Sequence, residues 1–559
     1  MSCVNENLVD VYCVNNKQKK SYPMGVSLLD IYNDMKPEMK YGVIVAKLNN
    51  VTKDLKFKVY KPQTVEFKGI EVPSGMRAYV RSLSFIFCNA VYAVLPEVKV
   101  RLEHPIAKGY YCKLIGYDKP IDETLIDKIR KEMRKIVDAN LSFNMCDTPT
   151  EEAIEVFRKE GAEDTALLLE QHGSFYTRYY ELGGRHSWFQ GPVAPSTNYI
   201  QLFDIRPYHD GIFLQVPDRK DPVKLEKFEP QDKLFATFSE HAQWNHIMGL
   251  GNVGNMNKMV KNKESMSGII KVAEGLQEKK IISIADEIAK RKDTKLVLIS
   301  GPSSSGKTTF SKRLSVQLAV NGLKPIALSM DDYFHPRSKT PRDENGDYDF
   351  ESIYSVDLDL FNDQMNSLLS GKEVSLPYYN FEKGEREYHG KSLKLEGNGV
   401  LVIEGIHALN PMLTSKIPEK NIFRIYISAL TTISFDDRNW IPTRDNRLLR
   451  RIIRDYNYRG YSAVETISRW EKVKEGEEKW IFPYQENADV VFNSALLFEI
   501  CVLKKFAEPI LSEVPENSPE YPEVHRLLRF LSYFNIVPEV ELPLTSLLRE
   551  FLGGSSFKY

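Results

Sequence analysis

The residues best equipped for chemistry stand together at Gly301-Pro302-Ser303-Ser304-Ser305-Gly306-Lys307-Thr308, a complete G-x-x-x-x-G-K-T. Its glycines let successive backbone N–H groups turn toward one anion. The start of the following helix adds partial positive charge, and Lys307 supplies a point charge near the outer phosphates. Gly301, Ser303, Ser304, Ser305, Gly306, Lys307, Thr308 and Thr309 form the expected cradle for ATP, with the Thr308 hydroxyl placed for Mg²⁺. Such a cradle serves kinases, ATPases and switches alike, so its neighbours must decide. Asp331 and Asp332 follow one apolar run and Glu404 follows another, which brings three carboxylates to the C-terminal edge of a sheet beside the phosphates. One carboxylate there can help to hold Mg²⁺ and another can accept the proton of an attacking hydroxyl. Arg447, Arg450, Arg451 and Arg454 recur at helical spacings of three and four. They read either as a lid over phosphates or as a solvated face paired with Asp445 and Asp455.

The elements that must position these groups follow from local pattern. Apolar runs at 296–300 (LVLIS), 325–329 (PIALS), 400–403 (VLVI) and 423–427 (FRIYI) alternate with helical segments, one of them at 309–318. Short, uniformly apolar runs of this kind are expected to be buried parallel strands of a doubly wound α/β sheet. Ahead of them, residues 1–66 show β-rich runs at 9–14 and 43–48 around helical spacing at 28–35, an α+β module. Residues 67–225 carry a long amphipathic stretch at 124–139 and strand candidates such as 211–216, a second α+β domain. Residues 226–292 turn helical, with Ile281, Ile284, Ala285 and Ile288 on one face, and read as a connector to the domain at 293–559.

Composition excludes several classes. The 559 residues allow three or four domains, and 42% hydrophobic content rules out wholesale disorder. A formal charge of −1 argues against a chain held to nucleic acid by bulk positive charge. The six cysteines (Cys3, Cys13, Cys88, Cys112, Cys146, Cys501) include no C-x-x-C pair, so reduced thiols are expected rather than a zinc ribbon or a disulfide frame. His241 and His246 lie five apart, off the spacing that aligns two ligands on a helix, and read as structural. The start lacks a secretory pattern and no apolar stretch reaches about 18 residues, so a cytoplasmic protein without membrane attachment is expected. Assembly into homo-oligomers is left open.

Several spaced motifs then resemble the uridine kinase and phosphoribulokinase family over residues 293–500. They are GPSSSGKTT, Ser329-Met330-Asp331-Asp332-Tyr333-Phe334, Pro377-Tyr378-Tyr379-Asn380-Phe381, Glu404-Gly405-Ile406, the arginine-rich segment, Arg459-Gly460 and Ala488-Asp489-Val490. The resemblance implies an ATP- and Mg²⁺-dependent nucleoside kinase with Asp331 as general base, Thr308 and Glu404 near Mg²⁺, and Arg447 and Arg450 contacting phosphate from a lid. It also implies an acceptor pocket containing Glu351, Tyr379, Phe381 and Arg386, with a uridine- or cytidine-like nucleoside as acceptor. Glu351 replaces the family's Asp, and Gly384 stands where uridine kinases carry a base-reading His.

The front half resembles the amino-terminal region of threonyl-tRNA synthetase. Val43-Ile44-Val45-Ala46-Lys47-Leu48-Asn49-Asn50 with Asp54-Leu55 looks like the β-grasp TGS domain. Asn89-Ala90-Val91, Gly109-Tyr110-Tyr111, Gly191-Pro192 and Ser196-Thr197 look like the editing domain. Arg81, Phe85, Phe189 and Val193 stand where that family's His and Cys residues act, so editing chemistry is expected to be lost while RNA or tRNA binding stays open. With Leu547-Leu548-Arg549-Glu550-Phe551-Leu552-Gly553-Gly554 at the end, the whole layout resembles the TGS-containing nucleoside kinases. An ATP-operated regulatory switch is the competing expectation.

Overall fold

Five short strands carry the carboxy-terminal half: β1 (Leu296–Ser300), β2 (Lys324–Ser329), β3 (Gly399–Glu404), β4 (Ile422–Ser428) and β5 (Val490–Asn493). They lie in the order β2-β3-β1-β4-β5 and every pairing is parallel. All five residues of β1 are buried, which is why the run carries no polar alternation. The computed structural model describes residues 8–344 and 346–559, apart from the side chains of Lys263 and Glu264. Cys3 lies outside the described residues, and the first domain is described from residue 8. Cys13, Cys88, Cys112, Cys146 and Cys501 are free thiols. Among the described residues no helix is long and apolar enough to cross a membrane.

The stretch expected as a connector does more than connect. Its last helix, Lys263–Lys290, turns Ile281, Ile284, Ala285 and Ile288 into the same core as Val297, Ile299, Phe310 and Leu314. Arg313 reinforces that contact by donating to Glu278 Oε2 at 2.6 Å. The helix is therefore a layer of the sheet domain, because its apolar stripe has nothing else to bury against.

Among the described residues the front half holds three sheets of three or more strands and the short pair Val26–Ser27 with Lys58–Val59. Residues 8–68 form one of five strands, in which Leu8–Cys13 pairs antiparallel with Gln18–Pro23 and parallel with Gln63–Lys68. Helix Leu28–Met35 supplies Leu28, Ile31 and Met35 to its core. Beyond it, α1 (Pro73–Val94) is buried along most of its length beside helix Glu123–Asp138 and the four-stranded sheet of 99–115 and 204–215. A separate three-stranded sheet spans Asn144–Pro149, Tyr176–Leu182 and Arg185–Ser187.

These parts are not strung on linkers. One apolar cluster runs from Ala153, Phe157 and Trp188 through Phe435 to Leu449, Phe530 and Tyr533. Trp188 meets Phe435 and Tyr533 edge-on at 5.7 and 5.1 Å, and Arg101 Nε donates to Asp437 Oδ1 at 2.7 Å. The helices α3 (Thr443–Arg459), α4 (Ala463–Trp480), α5 (Glu499–Ser512) and α6 (Tyr521–Leu531) thus bind the sheet domain to the front half through a shared core.

Candidate active site

The phosphate loop closes between β1 and α2 (Lys307–Val320) as the motif requires. Gly306 caps α2 at φ +86°, and a Cβ on Gly301 would sit 2.1 Å from the Ile427 carbonyl, so neither glycine tolerates a side chain. Ser304 takes φ +59° without being glycine, a strained conformation of the kind concentrated at functional sites. The hydroxyls of Ser304 and Ser305 are buried and lack partners. Lys307 Nζ folds back onto the Gly301 and Pro302 carbonyls at 2.8 and 3.2 Å.

Sheet register brings the acids to this loop. Glu404, the last residue of β3, stands opposite Ile299 on one side and Ser329 on the other, and Asp331 follows Ser329 by two residues. Thr308 Oγ1 donates to Glu404 Oε1 at 2.9 Å and to Oε2 at 3.1 Å. Burial pushes the Glu404 carboxyl up to about 7, with Lys307 opposing the shift and Glu550 adding to it. Burial also raises Asp331, while Lys307 pulls it back and Asp332 pushes it further up. The two neighbouring aspartates differ in their surroundings: Asp332 Oδ1 accepts from Tyr379 N at 3.2 Å, whereas Lys307 is the charge that acts most strongly on the buried Asp331 carboxyl.

Beyond Asp331 lies an aromatic hairpin, Tyr378–Asn380 against Glu385–Glu387. The Phe334, Tyr379 and Phe381 rings meet edge-on at 5.0–6.3 Å, with Tyr379 buried and Phe381 exposed by 57%. Gly384 closes the turn at φ +70°, and a Cβ there would stand 2.6 Å from Arg337 Nε. The Arg337 guanidinium therefore fills the space beside the glycine, and its Nη2 donates to the Phe381 carbonyl at 2.8 Å. Arg386, expected in the acceptor pocket, is held from within the protein. Its guanidinium donates to the Phe334 carbonyl at 2.9 Å, the Tyr333 carbonyl at 3.3 Å and Asp357 Oδ2 at 3.1 Å, so it braces the Asp331 segment from behind.

Glu351 lies near the loop, where burial and Glu477 push its carboxyl up to about 7 against Arg451 and Lys307. Between about pH 4.5 and 7 the folded chain keeps a proton on Glu351 that the unfolded chain has released. Stability of the ligand-free protein is therefore expected to fall as pH rises through that window, by up to about 3 kcal/mol. Thermal melts of wild type and Glu351→Gln from pH 5 to 8 check this: the variant should lose less stability on the way up, and parallel curves would contradict the assignment.

The arginine helix corrects the lid expectation. Arg447 and Arg450 are 1% and 0% exposed. Arg447 forks onto Glu477 at 2.5 and 2.7 Å, and Arg450 onto Glu499 at 3.1 and 2.6 Å. They also donate to the Ser303 and Ser304 carbonyls at 3.1 and 3.3 Å, which makes them buried supports under the loop rather than mobile covers. Arg451 reaches a loop side chain, donating to Ser303 Oγ at 2.8 Å. Arg454 pairs with Asp455 at 2.9 Å.

Two carboxylates escaped the sequence reading. Glu477 on α4 accepts from Ser303 N at 2.9 Å, using one of the loop's own amides. Glu550 accepts from Thr309 N at 3.1 Å and Oγ1 at 2.7 Å, and the Tyr559 hydroxyl lies 2.7 Å from the same Oγ1. Glu477 stands in no motif and Glu550 only in the carboxy-terminal segment 547–554, whose pattern does not point to the loop; placement on late helices brings both here.

With this geometry in place, residues 296–497 match the model described as Phosphoribulokinase / Uridine kinase family. Residues 296–497 form a domain of that family. The uridine kinase of Ureaplasma urealyticum serovar 10 (strain ATCC 33699 / Western) is 27% identical over 197 residues, 35% of this chain and 86% of that protein. That of Saccharomyces cerevisiae (strain ATCC 204508 / S288c) is 29% identical over 202 residues, 36% of each chain. The amino-terminal region is similar to threonine–tRNA ligase: that of Geobacter sp. (strain M21) is 25% identical over 187 residues, 34% of this chain and 29% of the ligase. For the kinase domain, the family implies ATP as phosphoryl donor.

Proposed function

We propose that the chain is a nucleoside kinase that moves the γ-phosphoryl group of ATP to the 5′-hydroxyl of a uridine- or cytidine-like acceptor. The observation that carries this reading is the convergence of Lys307, the Thr308–Glu404 pair and Asp331 at one sheet edge, with Tyr379 and Phe381 behind Asp331. Asp331 takes the acceptor's proton as the acceptor oxygen bonds to the γ-phosphorus and the bond from that phosphorus to ADP breaks. Lys307 and the loop amides stabilise the charge that spreads over the transferring group. Glu477 must release Ser303 N for a phosphate oxygen to take its place, and Arg447 holds the displaced carboxylate. The Thr308 hydroxyl and the Glu404 carboxylate are hard oxygen donors suited to Mg²⁺, which would neutralise phosphate charge. Arg337, beside Gly384 where a histidine is missing, occupies that space and donates to the Phe381 carbonyl at 2.8 Å.

ADP release measured over a panel of nucleosides tests the reading: turnover should depend on the acceptor, and equal turnover without one would overturn it. The same assay decides against the rival, an ATP-operated switch, which the core shared between the two halves favours.

For residues 1–66 we infer a TGS-like β-grasp domain, and for 67–225 an editing-like domain with a degenerate site. The Phe85 and Phe189 rings lie 5.8 Å apart in a buried cluster with Val193, and none of these side chains binds metal or moves a proton. Mischarged tRNA incubated with the protein is therefore expected to lose its amino acid at the uncatalysed rate. Faster release would contradict the inference.

A further inference from the structure

A cavity of about 420 Å³ opens between the two front domains and helices α4 and α6, well outside the kinase centre. Nine Lys and Arg side chains line it against four Asp and Glu. Local ion pairs absorb part of that excess: Arg526 forks onto Asp445 at 2.7 and 2.8 Å. Other cations remain uncommitted. Arg81 donates only to the Pro192 carbonyl, at 3.1 Å, and among the described residues neither Arg81 nor Arg529 has a carboxylate partner. Gly191 makes room for the Arg81 guanidinium, since a Cβ there would stand 2.7 Å from its Nη1. Arg178 pairs with Asp147 through Nη2 at 2.7 Å, while its Nε is buried without a partner. Burial and the neighbouring Arg77 and Arg526 hold Arg81 down to about 9, a cost that a bound anion would relieve. The remaining wall includes the Tyr180, Phe189 and Trp470 side chains.

We propose that this cavity binds a phosphorylated small molecule of nucleotide size, and that its occupancy is felt at the phosphate loop through α4. Uncompensated guanidinium groups recognise phosphate oxygens, and a volume of this order accommodates an organic body as well as the anion. The coupling is laid out on one helix. Ile467, Trp470 and Lys474 line the cavity, and three residues further along the same face Glu477 accepts from Ser303 N. Trp470 is also the partition between the two sites, with the Arg447 and Arg451 guanidinium carbons 5.4 and 5.8 Å from its ring centre. A ligand that shifts Trp470 or Lys474 therefore acts on the pair that occupies the loop amide and on the arginine that holds Ser303 Oγ.

The test uses the full chain with its phosphate loop saturated by a non-hydrolysable ATP analogue. The four ribonucleoside 5′-diphosphates and inorganic pyrophosphate are titrated into it calorimetrically. At least one diphosphate should bind once per chain and more tightly than pyrophosphate. Its affinity should fall at least about tenfold in Arg81→Gln and in Arg529→Gln, as expected for a lost charge-assisted contact. Arg529 is exposed, so its variant is informative even where Arg81→Gln folds poorly. Tyr379→Ala, which alters the acceptor pocket, should leave the binding unchanged. Coupling should appear as a change of about fivefold or more in the analogue's affinity when the diphosphate is present. The site is overturned by no binding, by binding as tight in both arginine variants as in wild type, or by loss in Tyr379→Ala. Pyrophosphate binding as tightly as the diphosphates overturns the nucleotide assignment, and an unchanged analogue affinity overturns the coupling.

Discussion

In Asp331→Asn, turnover falls by about three orders of magnitude while affinity for ATP moves by less than about threefold. The amide keeps the shape and the hydrogen-bonding reach of the carboxylate, so the loop, β2 and the turn capped by Ser329 should stay as they are. What it loses is the capacity to take a proton from the acceptor hydroxyl. Burial supports the role: a carboxyl raised above its ordinary value is a better base, and Lys307 opposes that rise. Asp332→Asn is the control, because Asp332 is engaged with the Tyr379 amide; it should disturb the acceptor hairpin and raise KM more than it lowers kcat. Steady-state rates and ATP titrations on both variants measure the difference. Equal losses of kcat in the two would remove Asp331 from its assigned place.

The second large effect is on stability. Glu499→Gln leaves the Arg450 guanidinium buried without a counter-charge, and the protein should lose about 3–5 kcal/mol. Glu499 also accepts from Leu496 N at 2.7 Å, so the start of α5 loosens at the same time. Chemical denaturation followed by tryptophan fluorescence and by ATP-analogue binding reports the shift in the domain that unfolds. Turnover per folded molecule should stay close to wild type, since the pair supports the loop and touches no substrate. Near-native stability with a collapsed rate would instead restore Arg450 to a catalytic part. Arg454→Gln, at a partly exposed pair with Asp455, should change stability much less.

The parts legible in the sequence were those set by local rules. Four of the five sheet strands stand in apolar runs because both faces of a parallel strand are covered, and the glycines at 301 and 306 are demanded by backbone geometry. The short edge strand Val490–Asn493 has a weaker pattern, because its run of apolar residues is only three long. A run of arginines normally signals an exposed face, whereas Arg447 and Arg450 are buried because their partners Glu477 and Glu499 come from later helices that spacing cannot place. Glu550 reaches Thr309 across more than two hundred residues of chain for the same reason. The separate domains read from pattern changes are likewise joined by Trp188, Phe435 and Tyr533, a contact with no local signature.

The most direct measurement follows the phosphoryl group itself. ATP labelled in its γ-phosphate is incubated with the protein and a uridine or cytidine acceptor, and the products are separated. Label should appear on the 5′-oxygen of the nucleoside in wild type and vanish from it in Asp331→Asn. Label found only in inorganic phosphate, at a rate indifferent to the nucleoside, would contradict the account.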